Sequence, residues 1–378
     1  MFPIVEAAGD ARERGRIHGA VAKARVERSI ATYARLFAFC GIDWTEAQCR
    51  GAAYREAIGD LGGGLLEEIE GIAEGSGRRV DEVLALNTRT EILPPTYPGE
   101  PHPRWRELDA GNRAGGVPDW GECTAIAVPG AVSASGGSLL AQNWDWLGRQ
   151  RQALILLRTG CENGPACLTL TEAGMLAKIG FNEHGLGVCL NILRSSADGE
   201  REGTPVHPLL RSLLGCRNVE EAIALARPLS FGASSNVLCA DSAGSAANLE
   251  FSPAGLQVLR GDGGVVCHTN HFLSAAGKHG QTALAPSLSS EPRLARARAL
   301  ASGRERLGVP ELQQILRDES DGVLSICRHP DRSLPEEARI ESVASVIMEL
   351  SARRMHVAPD VPSLVDYQTV GLGAAVAA

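Results

Sequence analysis

Between residues 11 and 39, apolar residues recur every three to five positions, at Ile17, Val21, Val26, Ile30, Tyr33 and Phe37, among Arg, Glu and Lys. That interval puts them on one face of an α-helix and predicts a helix with a buried stripe. The same period returns over 65–73 and 80–86. Gly62-Gly63-Gly64 and Gly75-Ser76-Gly77 punctuate it, and Asp81 stands where it could cap the last helix. Up to about residue 97 the chain therefore reads as an α-helical layer.

The pattern dissolves over residues 94–122, where Pro, Gly, Asp, Arg and Asn dominate, and the expected structure is an exposed linker. Beyond it come short β-like runs at 124–128, 138–143, 153–157, 167–171, 177–181 and 187–192. Asn182 and Gly185 suit a hairpin turn between the last two, and Gly261-Asp262-Gly263-Gly264 suits another. Helices are expected at 208–214, 219–226, 293–301 and 311–318, and strands at 236–240, 247–251, 257–259 and 265–268, with a last one at 343–350. Helices in front, strands behind and further helices inserted imply an α+β domain whose helices cover packed sheets.

The bulk numbers narrow the function classes. A length of 378 residues, 44% hydrophobic and 22% charged, is that of a globular protein of one large or two small domains. A net charge of −8 opposes a nucleic-acid partner, leaving small molecules as ligands. The N-terminus lacks a basic lead followed by an apolar core, and no apolar run is long enough to span a bilayer, so the chain reads as cytoplasmic with no membrane partner. The ten cysteines are dispersed without a CxxC pair and are expected reduced and buried. His268 and His271 lack a third ligand at metal spacing, and no glycine-rich phosphate loop leads from strand to helix, so neither metal nor cofactor is expected.

Cys123 opens a strand directly after the linker, where a cut between Glu122 and Cys123 would make it a new N-terminus. A free α-amino group has a pKa near 8, so it can take the proton of its own thiol and serve as base without a histidine. On residue type alone Cys123 reads first as one more buried strand cysteine. The wider pattern separates the two readings. It comprises Cys123-Thr124-Ala125, Gln142-Asn143-Trp144-Asp145, Lys178-Ile179-Gly180-Phe181-Asn182-Glu183-His184-Gly185-Leu186, Ser235-Asn236 and His268-Thr269-Asn270-His271-Phe272. In front stand Gly15-Arg16-Ile17-His18-Gly19, Gly71-Ile72-Ala73-Glu74-Gly75 and Leu86-Asn87-Thr88-Arg89.

Taken together these motifs resemble the isopenicillin N acyltransferase family of N-terminal nucleophile hydrolases. The resemblance implies a four-layer αββα sandwich, and a precursor that cuts itself before a cysteine. Residues 1–122 would form an α chain and 123–378 a catalytic β chain, held together as a heterodimer. By position, Cys123 would be the nucleophile and Asp145 the acceptor that holds the new amine. Asn236 would donate its side-chain amide to the oxyanion. Arg293, after Ser289-Ser290, would stand near the active site or, with Arg296 and Arg298, be a plain surface charge. Asn143 and Trp144 would line the substrate pocket or simply finish a strand, and His271 is a further candidate for the pocket. The chain departs from the family in placing Glu122, not glycine, before the cysteine; glycine most easily permits the twisted peptide that an N-to-S acyl shift needs.

The implied chemistry is attack of the Cys123 thiolate on a small-molecule amide or acyl-CoA thioester. An acyl-enzyme follows, discharged to water in a hydrolase or to an amine in an acyltransferase. Two other readings compete: an uncut, papain-like Cys123–His271 amidase, and a non-catalytic binding protein on the same fold with Cys123 inert.

Overall fold

The computed structural model describes residues 1–95, 122–161, 164–275, 288–302 and 304–373. Most of the expected linker, 96–121, lies outside the described residues.

The helical front is as patterned over 65–73 and 80–86 but differs elsewhere. The single helix expected over 11–39 is two, α1 (Ala11–Val21) and α2 (Lys23–Phe39), with a break at Ala22 (φ −98°, ψ 14°). A helix that the pattern did not signal, α3 (Trp44–Ala53), begins where the Asp43 carboxylate accepts from the Glu46 N–H at 2.8 Å. It buries only Ala47 and Gly51, too thin an apolar face to read as periodic. Then follow α4 (Arg55–Asp60), α5 (Leu65–Ser76), α6 (Val80–Asn87) and α7 (Arg89–Ile92). Asp81 does not cap α6. It lies inside the first turn, and the Glu82 carboxylate caps instead by accepting the Arg79 N–H at 2.9 Å.

Two glycine-bearing motifs of the front face each other where α1 crosses α5. A Cβ on Gly15 would stand 2.0 Å from the Glu68 carbonyl oxygen, and one on Gly71 would stand 2.1 Å from that of Arg12. The backbones touch because these positions carry no side chain. Gly71→Ala is therefore expected to lower the unfolding free energy by about 2–4 kcal/mol despite alanine's better helix propensity. In α4 the space around Gly59 is open, and Gly59→Ala should be neutral or raise it by up to about 1 kcal/mol. Urea melts of the two variants check this, and equal effects would refute the close-approach argument.

Among the described residues, fourteen strands form two sheets. In the eight-stranded sheet, β1 (Ile4–Ala7), β4 (Leu154–Cys161), β5 (Gly164–Glu172), β6 (Ile179–Asn182), β7 (Leu186–Ile192), β8 (Ser235–Asp241), β9 (Ala246–Ser252) and β10 (Gly255–Arg260) are neighbours in that order. The six-stranded sheet runs β11 (Val266–His268), β2 (Glu122–Val128), β3 (Leu139–Leu147), β12 (Ile340–Glu349), β13 (Arg354–Ala358) and β14 (Gln368–Gly371). The hairpin turn at Asn182 and Gly185 is present, with Gly185 at φ +82°. The expected hairpin at 261–264 is instead a crossover between sheets, since β10 pairs with β9 and β11 with β2. Nor is β12 the last strand, because β13 and β14 follow it.

Alternation along the strands defines the layers. Ala125 and Ala127 of β2, Leu140 of β3 and Met348 of β12 meet Leu168, Phe181, Cys189 and Leu238 of the other sheet in a shared core. The opposite face of the eight-stranded sheet, including Val188, Val237 and Cys239, packs on α8 (Val206–Leu213) and α9 (Val219–Ala226). The outer face of the six-stranded sheet, including Ile126, Ala141 and Ile347, packs on α10 (Ser290–Ser302) and α11 (Val309–Leu316). The result is the expected αββα sandwich.

Candidate active site

Cys123 sits second on β2, facing the inter-sheet core and 3% exposed. Its partner across the ladder is Trp144, while Glu122 pairs with Asp145. The peptide of Cys123 is held on both sides. Its N–H donates to Asn270 Oδ1 at 2.7 Å, and its carbonyl accepts from Arg293 Nη1 at 2.8 Å and from Asn191 Nδ2 at 3.1 Å. Asn191 belongs to β7, so one of these bonds ties the two sheets together at the cysteine.

Arg293, in the first turn of α10, is wholly buried and so is not a surface charge. Besides the Cys123 carbonyl, its guanidinium donates to Thr124 Oγ1 at 3.0 Å, Asn270 Oδ1 at 3.0 Å and Ser289 Oγ at 3.1 Å. The planar fork can serve this many acceptors at once, which an ammonium cannot. Two donors, Cys123 N–H and Arg293, converge on Asn270 Oδ1, which fixes how that amide is oriented. By contrast Arg296, one turn on, reaches outward to Asp318.

Asp145 lies on β3 between β2 and β12, and its Oδ1 accepts from the Ser342 hydroxyl at 2.6 Å. Burial pushes the Cys123 thiol up to about 11, and the Asp145 charge adds to the rise. Lys178, the Asp145 backbone N–H and Arg293 pull the other way. Lys178 comes from the turn before β6 and packs its ammonium 4.1 Å above the Trp144 ring, with Glu172 Oε2 at 3.7 Å. Burial first, then Arg89, brings this lysine down to about 7, against the pull of Glu172 and Cys123. Glu172 also faces Arg89 of α7 at 3.4 Å, and Arg89 lies 4.7 Å from the Trp146 ring. A buried ionic chain thus runs from the helical front to the wall behind Cys123.

The remaining candidates sit as follows. Asn236 on β8 donates to Asn191 Oδ1 at 3.2 Å and Asn248 Oδ1 at 3.0 Å, so it meets Cys123 through Asn191. Asn143 is buried, its amide donating to the carbonyls of Leu316 and Ile326 at 2.8 and 2.9 Å; it fastens α11 and the chain after it to β3. Trp144 is buried under Lys178. His271 is anchored through Nδ1 to Ser290 Oγ at 2.7 Å and Thr269 Oγ1 at 3.2 Å. His268 pairs with Glu250 at 2.9 Å. Sequence reasoning passed over Asn270 and Lys178, although both stand inside motifs that it singled out. Asn191 carried a fainter signal, one amide in the otherwise apolar run Val188-Cys189-Leu190-Asn191-Ile192.

The family model described as acyl-coenzyme A:6-aminopenicillanic acid acyl-transferase matches residues 132–363. The 40 kDa form of acyl-coenzyme A:6-aminopenicillanic-acid-acyltransferase from Emericella nidulans is 35% identical over 267 residues, a match that takes in 69% of this chain and 66% of that one, just under two thirds. Among solved structures, penicillin V acylase from Agrobacterium tumefaciens is similar at a TM-score of 0.47 and 14% identity, over 66% of this chain and 86% of that one. Conjugated bile acid hydrolase from Clostridium perfringens is similar at a TM-score of 0.45 and 14% identity, over 66% and 96% of the two chains.

Proposed function

The chain belongs to the acyl-coenzyme A:6-aminopenicillanic acid acyl-transferase family, and from that premise we propose that it is a cysteine N-terminal nucleophile enzyme that cuts itself between Glu122 and Cys123. It then carries an acyl group on the Cys123 sulfur. The observation that supports this most is the grip on Cys123, whose N–H and carbonyl are held by Asn270, Arg293 and Asn191 beside a buried thiol.

In the self-cleavage, the thiol adds to the Glu122 carbonyl carbon and the C–N bond breaks. This leaves a thioester and a free α-amine on Cys123, and water then hydrolyses the thioester to a carboxylate on Glu122. The amine, with a pKa near 8, becomes the base for later turnovers, and Asp145, across the ladder beside Cys123, accepts its hydrogen bonds. In turnover, the Cys123 thiolate attacks an amide or acyl-CoA carbonyl. The oxyanion draws on the Asn191 side-chain amide, which donates at the Cys123 carbonyl, with Asn236 holding Asn191 from behind; one such donor is worth about 3–4 kcal/mol. The donor's thiol or amine leaves with the proton, and an amine or water takes the acyl group. Residues 1–122 and 123–378 stay together as a heterodimer. Nine described cysteines are free, which fits a reducing compartment, the cytoplasm.

Intact mass and N-terminal sequencing of the purified chain test the first half: pieces of about 13 and 27 kDa are expected, the larger starting at Cys123. A chain that stays whole after long incubation ends the self-processing claim. For the second half, incubation with an acyl-CoA should add one acyl mass to Cys123, discharged by 6-aminopenicillanic acid or water. No adduct on Cys123 with a panel of acyl thioesters and amides ends the acyl-transfer claim.

A further inference from the structure

Away from Cys123, three side chains of metal-ligand type converge on the connection between α11 and β12. His329 Nε2 lies 2.6 Å from Glu319 Oε1, and Cys327 Sγ lies 3.8 Å from the same oxygen. All three ligand atoms stand within 4.8 Å of one another, the one such group among the described residues. Ser363 Oγ closes the fourth side, 3.5 Å from Cys327 Sγ and 3.2 Å from His329 Nε2.

We propose that Glu319, Cys327 and His329 bind a divalent cation of the zinc class. A thiolate, an imidazole and a carboxylate are the mixture that zinc takes, and soft sulfur disfavours magnesium and calcium. Ligand atoms around a tetrahedral zinc ion stand about 3.3–3.8 Å apart, given metal–ligand distances of about 2.0–2.3 Å. The Cys327–Glu319 edge already has that length, and His329 and Glu319 need part by only about 1 Å.

The burial pattern suits this use. Cys327 is fully buried and gives a fixed anchor, whereas the His329 and Glu319 side chains are 44% and 47% exposed, which opens a way in and leaves them free to adjust. The anchor is itself held: the Cys327 N–H donates to the Asp318 carbonyl at 2.9 Å, the Ile326 carbonyl accepts from Asn143, and the Arg328 N–H donates to Ser342 Oγ at 3.0 Å. Sequence spacing did not reveal the set, since Glu319 stands eight residues before Cys327 and outside any motif of short spacing.

Cobalt(II) titration of the full-length protein tests the proposal, because a cobalt–thiolate bond gives a near-ultraviolet charge-transfer band. A band saturating at one equivalent is expected, displaced by one equivalent of zinc. It should persist in Cys49→Ser and Cys123→Ala, vanish in Cys327→Ser, and need at least tenfold more cobalt in His329→Ala. The half-exposed positions keep the test open should Cys327→Ser misfold: His329→Ala and Glu319→Gln must then each weaken the band's affinity while far-ultraviolet circular dichroism stays unchanged. No band in the wild type, or a band unmoved by the Cys327, His329 and Glu319 variants, overturns the site.

Discussion

Cys123→Ala is expected to remain a single 378-residue chain and to transfer no acyl group, its rate falling on the order of 10⁴-fold or more. In the proposed reaction the sulfur is both the atom that attacks the Glu122 carbonyl and the atom that carries the acyl group, so one deletion removes both steps. Alanine fills the site with the loss of one buried sulfur, which makes a stability loss of about 1 kcal/mol the whole structural effect. Mass spectrometry and an acyl-CoA consumption assay read the result. The two halves separate cleanly. A wild type that stays whole yet acylates Cys123 would keep the nucleophile and discard the cut. A Cys123→Ala chain that still turned over would discard the nucleophile.

Arg293→Met is expected to show the next largest effect. Methionine keeps much of the volume but takes one donor from each of four acceptors: Thr124 Oγ1, Ser289 Oγ, the Cys123 carbonyl, which keeps Asn191, and Asn270 Oδ1, which keeps the Cys123 N–H. Leaving buried acceptors short of a donor costs about 1–3 kcal/mol each, read by urea unfolding. Activity in the surviving folded fraction should fall by on the order of 10²-fold or more, because Asn270 and the Cys123 carbonyl lose their shared anchor. Arg293→Lys should recover part of the stability and little of the rate, since a point ammonium cannot bond four acceptors in different directions. Wild-type rate and stability in Arg293→Met would show that the guanidinium does not position Cys123.

The strand period made most of the sandwich legible, because buried runs such as 124–128 and 187–192 carry apolar residues that only a sheet interior accommodates. Short strands with weak alternation were not legible: β1 has four residues, and half of them are exposed. Which sheet a strand joins was also hidden at 261–264, since a glycine-rich turn looks the same within a hairpin and between sheets. Around the site, Cys123, Asp145 and Arg293 could be named from motifs, but their surroundings could not. Asn191 and Arg293 reach the Cys123 carbonyl from 68 and 170 residues away. Asn236 was the amide chosen from sequence, and it is one residue removed from the cysteine because Asn191, its cross-strand neighbour, stands between them.

The short parallel pairing of β1 with β4 has a bearing on solubility. β1 is the outermost strand of the eight-stranded sheet, and the four apolar residues Leu154 to Leu157 of β4 lie just inside it. A bare strand edge of that composition is a template for adding foreign strands. The first seven residues therefore act as a guard rail against aggregation, and they belong to the segment that a cut at Cys123 would sever from the main body. Residues 123–378 produced alone would leave that edge open, and they are expected to be less soluble than when produced together with residues 1–122.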